Sequence, residues 1–245
     1  MIRSNSLFTL RGGEHHRITD IWNYTVSLYT SEHSKETEIH LPATGGTRYI
    51  LALNSIIKTP TAVIDTNYSA IQTNSQCTVK LSNAILKSAA EESYVVDIEF
   101  PGLCLNDDRV FMKNKWCKQG FSTLEGNLSY MDGGTNTTAL NPGRLGLPVV
   151  NYVHFPKGMS QTLHTHPSQR IGLILKGRGT IELDGGKVAL ETGTVFVMDR
   201  NVLHNFMCDQ DEDVVLFVFA PDSGTGPTDE INPLKVRTYV GQQRV

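Results

Sequence analysis

An all-β fold is what this 245-residue sequence predicts, and three observations carry the expectation. Between residues 151 and 220, short apolar and β-branched runs recur at intervals of about ten residues, the pattern of a sandwich or barrel. Turn formers punctuate them: Pro156-Lys157-Gly158, Lys176-Gly177, Asp184-Gly185-Gly186 and Glu191-Thr192-Gly193. No apolar stripe of helical period crosses the region.

Taken in order along the chain, residues 20–29 and Glu38–Leu41 each read as a strand. Residues 49–53, 61–65, 77–81, 84–87 and Tyr94–Phe100 read so more clearly, because β-branched and aromatic residues dominate them. Ser82-Asn83 interrupts two of these runs as a hairpin turn would, and Pro101-Gly102 ends the last. This half reads as a β-sandwich of its own. His15 and His16 are adjacent and so point to opposite faces of a strand, while His33 and His40 stand alone. All four are taken as structural or surface histidines.

Residues 106–148 are rich in Asn, Asp, Gly and Pro and read as a connection, either a plain linker or a lid bringing Tyr130, Asp132 and Arg144 to a pocket. Beyond it the strands expected are 151–155, 171–175, Gly179–Leu183, 187–190, Val195–Met198 and 214–219. Asp184-Gly185 is a strong hairpin signal between two of them. The organisation is therefore an N-terminal β-rich domain over residues 1–105, the connection 106–148, and a second β domain over 149–245.

The second domain holds the chemistry. Gly158 is followed after five residues by His164-Thr165-His166, then after three by Arg170 and after six more by Gly177. Gly193 is followed after five by Asp199, then Arg200, Asn201 and, two residues on, His204. Imidazoles at i and i+2 on an extended chain share a face, and a third from a neighbouring strand closes a facial site for a divalent metal.

In this spacing the chain resembles the cupin family, whose two motifs read G-x5-H-x-H-x3/4-E-x6-G and G-x5-P-x-G-x2-H-x3-N. The three histidines and Gly158, Gly177 and Gly193 fall in register over residues 149–221. Arg170 stands where the family has its glutamate ligand, and Asp199, Asn201 and Cys208 replace Pro, Gly and Asn. The resemblance implies a jelly-roll β-barrel in the C-terminal half, with His164, His166 and His204 as metal ligands. Two sandwiches in tandem would be a bicupin whose N-terminal half, lacking any His-x-His, is degenerate and metal-free. Three-histidine members without the glutamate include cysteine dioxygenases, gentisate-type ring-cleaving dioxygenases and diketone-cleaving enzymes, several of which hold a substrate carboxylate with an arginine.

Neutral imidazoles suit Fe(II) above all on this resemblance, with Ni, Mn, Zn and Cu as alternatives. Three of them leave the ion's charge in place and coordination positions open for a chelating anion. Arg170, if it shares the interior with the histidines, needs an anion, since a guanidinium cannot shed its proton. That anion is either an internal carboxylate or the substrate's own. A one-residue slip would instead put Arg170 outside in a surface ion pair and bring Gln169 toward the metal. Tyr152 and His154 share one face of the strand before His164 and either line the cavity or sit outside it. Cys208 reads as a small buried hydrophobe rather than a nucleophile.

The function favoured is a non-haem Fe(II) dioxygenase acting on a small anionic organic substrate with dioxygen, with Arg170 as anion anchor. A redox-inactive metal isomerase or lyase and a non-catalytic ligand-binding cupin are the alternatives. A net charge of −3 and a pI near 6.2 imply no basic face for nucleic acid or anionic membrane. No apolar run reaches spanning length. The first residues lack the apolar core of an export signal, which makes a cytoplasmic location the expectation while a mitochondrial presequence stays open. The four cysteines, Cys77, Cys104, Cys117 and Cys208, form no CxxC pair and are expected as thiols. The Asn-x-Ser/Thr triplets at Asn23, Asn67, Asn127 and Asn136 are read as chance. A homodimer is compatible with all of this.

Overall fold

The computed structural model describes residues 7–19, 23–31, 38–81, 92–105, 107–113, 124–183, 186–223, 239–240 and 243–244. The strand expected at 84–87, the turns at Ser82-Asn83 and Asp184-Gly185, His33 and Cys117 lie outside these. Among the described residues the chain is all-β apart from one short 3-10 turn, and no helix is long and apolar enough to cross a membrane. It divides into two compact units, residues 10–123 and residues 1–9 with 124–245. The opening strand β1 (Leu7–Leu10) therefore pairs into the C-terminal unit.

The N-terminal unit holds β2 (His15–Thr19), β3 (Asn23–Thr30), β4 (Glu38–Leu41), β5 (Thr47–Lys58), β6 (Val63–Thr73), β7 (Cys77–Lys80), β8 (Tyr94–Phe100) and β9 (Arg109–Lys113). Its main sheet runs β2-β3-β8-β5-β6-β9, and β7 joins β4 to β5. The long strand β5 changes partner midway: Thr47–Leu53 pair with β8, whereas Ile56–Lys58 pair with β7. The corner is Asn54, left-handed at φ 51° and skipped in the β5–β6 register. A bend of this kind turns a strand from one sheet into the next. Asn tolerates that conformation, and here its Oδ1 accepts from Asn67 Nδ2 at 3.1 Å while its Nδ2 donates to the Glu92 carbonyl at 3.2 Å.

Ile50, Ala52, Ile57, Ile71, Val79 and Val95 form the core of this unit. Beside them lies a buried ion pair, Arg48 Nε to Asp97 Oδ1 at 2.8 Å, with Glu99 3.3 Å from the same guanidinium. Burial pushes the Asp97 carboxyl up to about 6, against the pull of Arg48. His15 meets Ser27 Oγ at 2.8 Å and His40 meets Thr78 Oγ1 at 3.2 Å.

The C-terminal unit adds β10 (Leu128–Ser129), the 3-10 turn Met131–Gly133, β11 (Thr135–Leu140), β12 (Val149–Phe155), β13 (Arg170–Lys176), β14 (Gly179–Leu183), β15 (Gly186–Leu190), β16 (Val195–Met198), β17 (His204–Cys208) and β18 (Val214–Ala220). A final pair, β19 (Tyr239–Val240) and β20 (Gln243–Arg244), forms its own ladder. The large sheet runs β1-β16-β13-β18-β12-β11-β10, the small one β15-β14-β17. Val153, Phe155, Ile174, Phe196 and Leu216 from the first share one core with Ile181, Leu190, Phe206 and Cys208 from the second, which makes a jelly-roll sandwich. β14 and β15 pair from Gly179↔Leu190 to Leu183↔Gly186, the register a two-residue hairpin imposes. Gly177 has φ 90°, and a Cβ there would stand 2.1 Å from the Asp213 carbonyl oxygen, so the motif's glycine is required by the backbone.

Three strands, β9, β10 and β11, lie inside the stretch expected as connection. β9 pairs with β6, and the Thr-rich β11 pairs with β12 over its whole length. The division between units accordingly falls at 123/124 rather than across a 43-residue linker spanning 106–148. Strand β17 was also not expected, because His, Asn and Cys break its apolar run.

Candidate metal centre

His164 and His166 lie on the segment between β12 and β13, and His204 opens β17. The backbone joins them: His164 N–H donates to the His204 carbonyl and His204 N–H to the His164 carbonyl, each at 3.0 Å. Such a reciprocal antiparallel pair puts the two side chains on one face. His166, two residues on, shares that face, and its carbonyl accepts from Asn201 N–H at 2.7 Å. One ring nitrogen from each of the three lies within 4.8 Å of the others.

Protonation and tautomer favour lone pairs in the centre. Burial pushes His204 down to about 3, helped by the charges of its neighbours and opposed by its backbone hydrogen bond. Desolvation likewise lowers His164, and it lowers His166 further, with the Arg170 charge adding to both. The rings are neutral at physiological pH. His164 Nδ1 lies 2.8 Å from the Thr162 carbonyl and His204 Nδ1 2.8 Å from the Val202 carbonyl, so each Nδ1 carries the proton and each Nε2 the lone pair. His204 Nε2 is buried with no hydrogen-bond partner among the described residues. A lone pair in that state is costly unless something binds it. Convergent, neutral, pre-oriented imidazoles of this kind fit a divalent transition metal.

Arg170, at the start of β13, lines the same cavity and is 8% exposed. Its Nη1 donates to the Ser168 carbonyl (3.1 Å), the Ser168 hydroxyl (2.5 Å) and the Gln169 carbonyl (2.9 Å), which fixes the side chain from its own strand entry. Gln169 turns to Asp199 at 2.9 Å and does not line the cavity. The slipped register that would place Arg170 outside is therefore not the one adopted.

Residues 151–220 match the family model for a cupin domain. This segment is a cupin domain. Solved structures share its fold well beyond that segment. A cupin 2 conserved barrel domain protein from Leptotrichia buccalis is 17% identical over 90% of this chain and 98% of its own, with a TM-score of 0.54. A salicylate 1,2-dioxygenase from Pseudaminobacter salicylatoxidans is 10% identical over 84% and 74%, with a TM-score of 0.56. Vicilin from Corylus avellana is 9% identical over 90% and 87%, with a TM-score of 0.52. No curated protein sequence matches the chain.

The cavity of the cupin domain measures about 210 Å³. Its polar end carries the three histidines, Arg170, Gln161 and Tyr130, and its walls are Val153, Phe155, Phe196, Met198, Phe206 and Leu216. Asn136, Asn151, Asp222 and Ser223 add polar groups elsewhere on the lining. Asn136 Oδ1 is buried without a hydrogen-bond partner among the described residues. Gly172 leaves room for the Phe196 ring, since a Cβ there would stand 2.1 Å from it. Burial raises the Tyr130 phenol, which stays protonated and able to donate.

Tyr152 and His154 are not cavity residues, and this corrects one branch of the sequence reading. The inward face of β12 carries Val149, Asn151, Val153 and Phe155. Tyr152 packs on Phe217 on the opposite face, with ring centroids 5.9 Å apart. His154 lies between Thr135 Oγ1 at 3.3 Å and Asp213 Oδ2 at 3.2 Å. Both faces of β12 are buried, so polarity does not alternate along it and parity could not be assigned from composition. Cys208 packs in the core with its thiol pushed up to about 12 by burial, the state of an inert thiol.

Proposed function

We propose that the chain is a metal-dependent dioxygenase in which His164, His166 and His204 hold Fe(II) and Arg170 anchors a small carboxylate-bearing substrate. The observation that supports it most is one cavity combining three convergent neutral imidazoles with a buried guanidinium and, among the described residues, no carboxylate in the metal-facing set. The salicylate 1,2-dioxygenase of similar fold has also been solved with gentisate bound, which supports a small aromatic acid as the first class to test. Ni, Mn, Zn or Cu are the other ions this donor set accepts.

Bound iron would supply a Lewis acid and the redox chemistry that dioxygen needs. The rest falls to the chain's own side chains. The Arg170 charge draws the substrate carboxylate to the polar end, beside the histidines. Phe155, Phe196 and Phe206 hold a flat apolar body and exclude water from it. The Tyr130 hydroxyl donates a hydrogen bond to a substrate oxygen, and Asn136 Oδ1 accepts one from a substrate hydroxyl or amine. The N-terminal unit we read as the degenerate second sandwich of a bicupin, with a structural role, in a protein that works in the cytoplasm and pairs as a homodimer.

Oxygen consumption by iron-loaded protein, screened over salicylate, gentisate and related small acids, tests this reading. Uptake that stops when iron is removed and returns with Fe(II) is expected. Turnover of such acids without oxygen, sustained by Zn or Ni, would establish the isomerase or lyase alternative instead.

A further inference from the structure

The turn that brings Tyr130 to the cavity also reaches the metal ligands from behind. We propose that Asp132 is a positioning residue for His164, acting through Thr162; the inference rests on the three-histidine metal reading above. Asp132 Oδ2 accepts the Thr162 N–H at 2.6 Å, and Oδ1 accepts the Thr162 hydroxyl at 3.2 Å. The carbonyl of the same Thr162 accepts Nδ1–H of His164 at 2.8 Å. One carboxylate thus holds both donors of the residue whose acceptor sets the tilt and tautomer of a ligand ring.

Closing the turn does not require this carboxylate. Tyr130 N–H donates to the Gly134 carbonyl at 2.8 Å and Gly134 N–H to the Met131 carbonyl at 3.1 Å, and these two bonds already close it. Asp132 sits at φ 58° and ψ 26°, a left-handed conformation that a glycine would adopt without steric cost. A side chain is kept at a position that disfavours one, and both of its carboxylate oxygens reach Thr162. Thr162 lies between the bridges Ser160↔Met207 and His164↔His204, outside any regular strand, where an added clamp has most to fix. Groups hydrogen-bonded directly to a metal-binding imidazole, as the Thr162 carbonyl is to His164, commonly change metal affinity by about 10–100-fold, and Asp132 acts on that group.

Titration of metal-free protein with Co(II), followed by its visible d–d absorption, tests the assignment, because band position and intensity report ligand geometry. Asp132→Gly keeps the backbone conformation and removes the clamp; its Kd should rise about tenfold or more, with altered d–d bands. Asp132→Asn tolerates the same conformation and keeps one acceptor oxygen for two donors, so its Kd should rise less, roughly threefold on the same scale. Should Asp132→Gly not fold, by circular dichroism, Asp132→Asn decides alone. Variants that match the wild type in both Kd and spectrum would overturn the proposal while leaving the metal site standing. A wild type that binds no Co(II) would overturn the three-histidine reading and this inference with it.

Discussion

Arg170 and the three histidines were legible as single residues because their spacing is unusual and their chemistry narrow. Which way Arg170 pointed was not: one residue of slip on β13 reverses the facing of every side chain. The structure places it in the cavity, held through Nη1 by Ser168 and Gln169. These Nη1 acceptors are neutral oxygens next to Arg170 in the chain, so its loss orphans no buried carboxylate among them. Arg170→Ala should weaken binding of a carboxylate substrate by on the order of 2–5 kcal/mol, measured by calorimetry, with metal content and melting temperature near wild type. Arg170→Lys should recover little, since an ammonium lacks the planar donor set. Substrate affinity unchanged in both variants would remove Arg170 from the binding machinery. Thr162 and Asn136 escaped the sequence reading as site residues, and Asp132 entered it only through the lid reading, because their roles depend on which loop lies behind which ligand.

At the scale of elements, strands rich in β-branched residues announced themselves and mixed ones did not. Gly179–Leu183 and Val195–Met198 have the bounds their composition suggests. β11, written Thr-Asn-Thr-Thr-Ala-Leu, draws its stability from the ladder with β12 and carries no apolar signal of its own. β5 is legible as a strand but its corner is not, because Asn54 looks like any polar residue until its partners are in place. Asn54→Ala keeps the left-handed Cβ but loses the two side-chain hydrogen bonds that make this conformation tolerable for asparagine, at a cost of about 2–4 kcal/mol in total. A urea midpoint should fall accordingly; a change below about 0.5 kcal/mol, the scatter expected of an ordinary surface substitution, would refute this account of the corner.

The Arg48–Asp97 pair in the neighbouring strands makes a pH statement. Burial raises the Asp97 carboxyl from its ordinary 3.8 to about 6. The native state therefore holds this proton more tightly than the unfolded chain. The contribution of Asp97 to stability is present below pH 3.8, declines as pH rises from there to about 6, and is level above. A carbon-13 titration of the side-chain carboxyl should give a midpoint near 6. A midpoint below 3.8, the ordinary value, would mean that attraction to Arg48 outweighs desolvation.

Over the whole molecule, fold class and the cupin domain could be read from the chain, but the division into units could not. Boundaries depend on pairing: β1 joins the C-terminal unit and β9 the N-terminal one, each at a distance in sequence that no local pattern records. The central claim concerns that C-terminal unit and its three imidazoles. Elemental analysis of protein purified without added metal, run beside His204→Ala, tests it most directly. The account predicts close to one equivalent of a first-row divalent metal per chain, iron first among them, and its near-complete loss in His204→Ala. Metal content that is the same in the variant as in the wild type would contradict it.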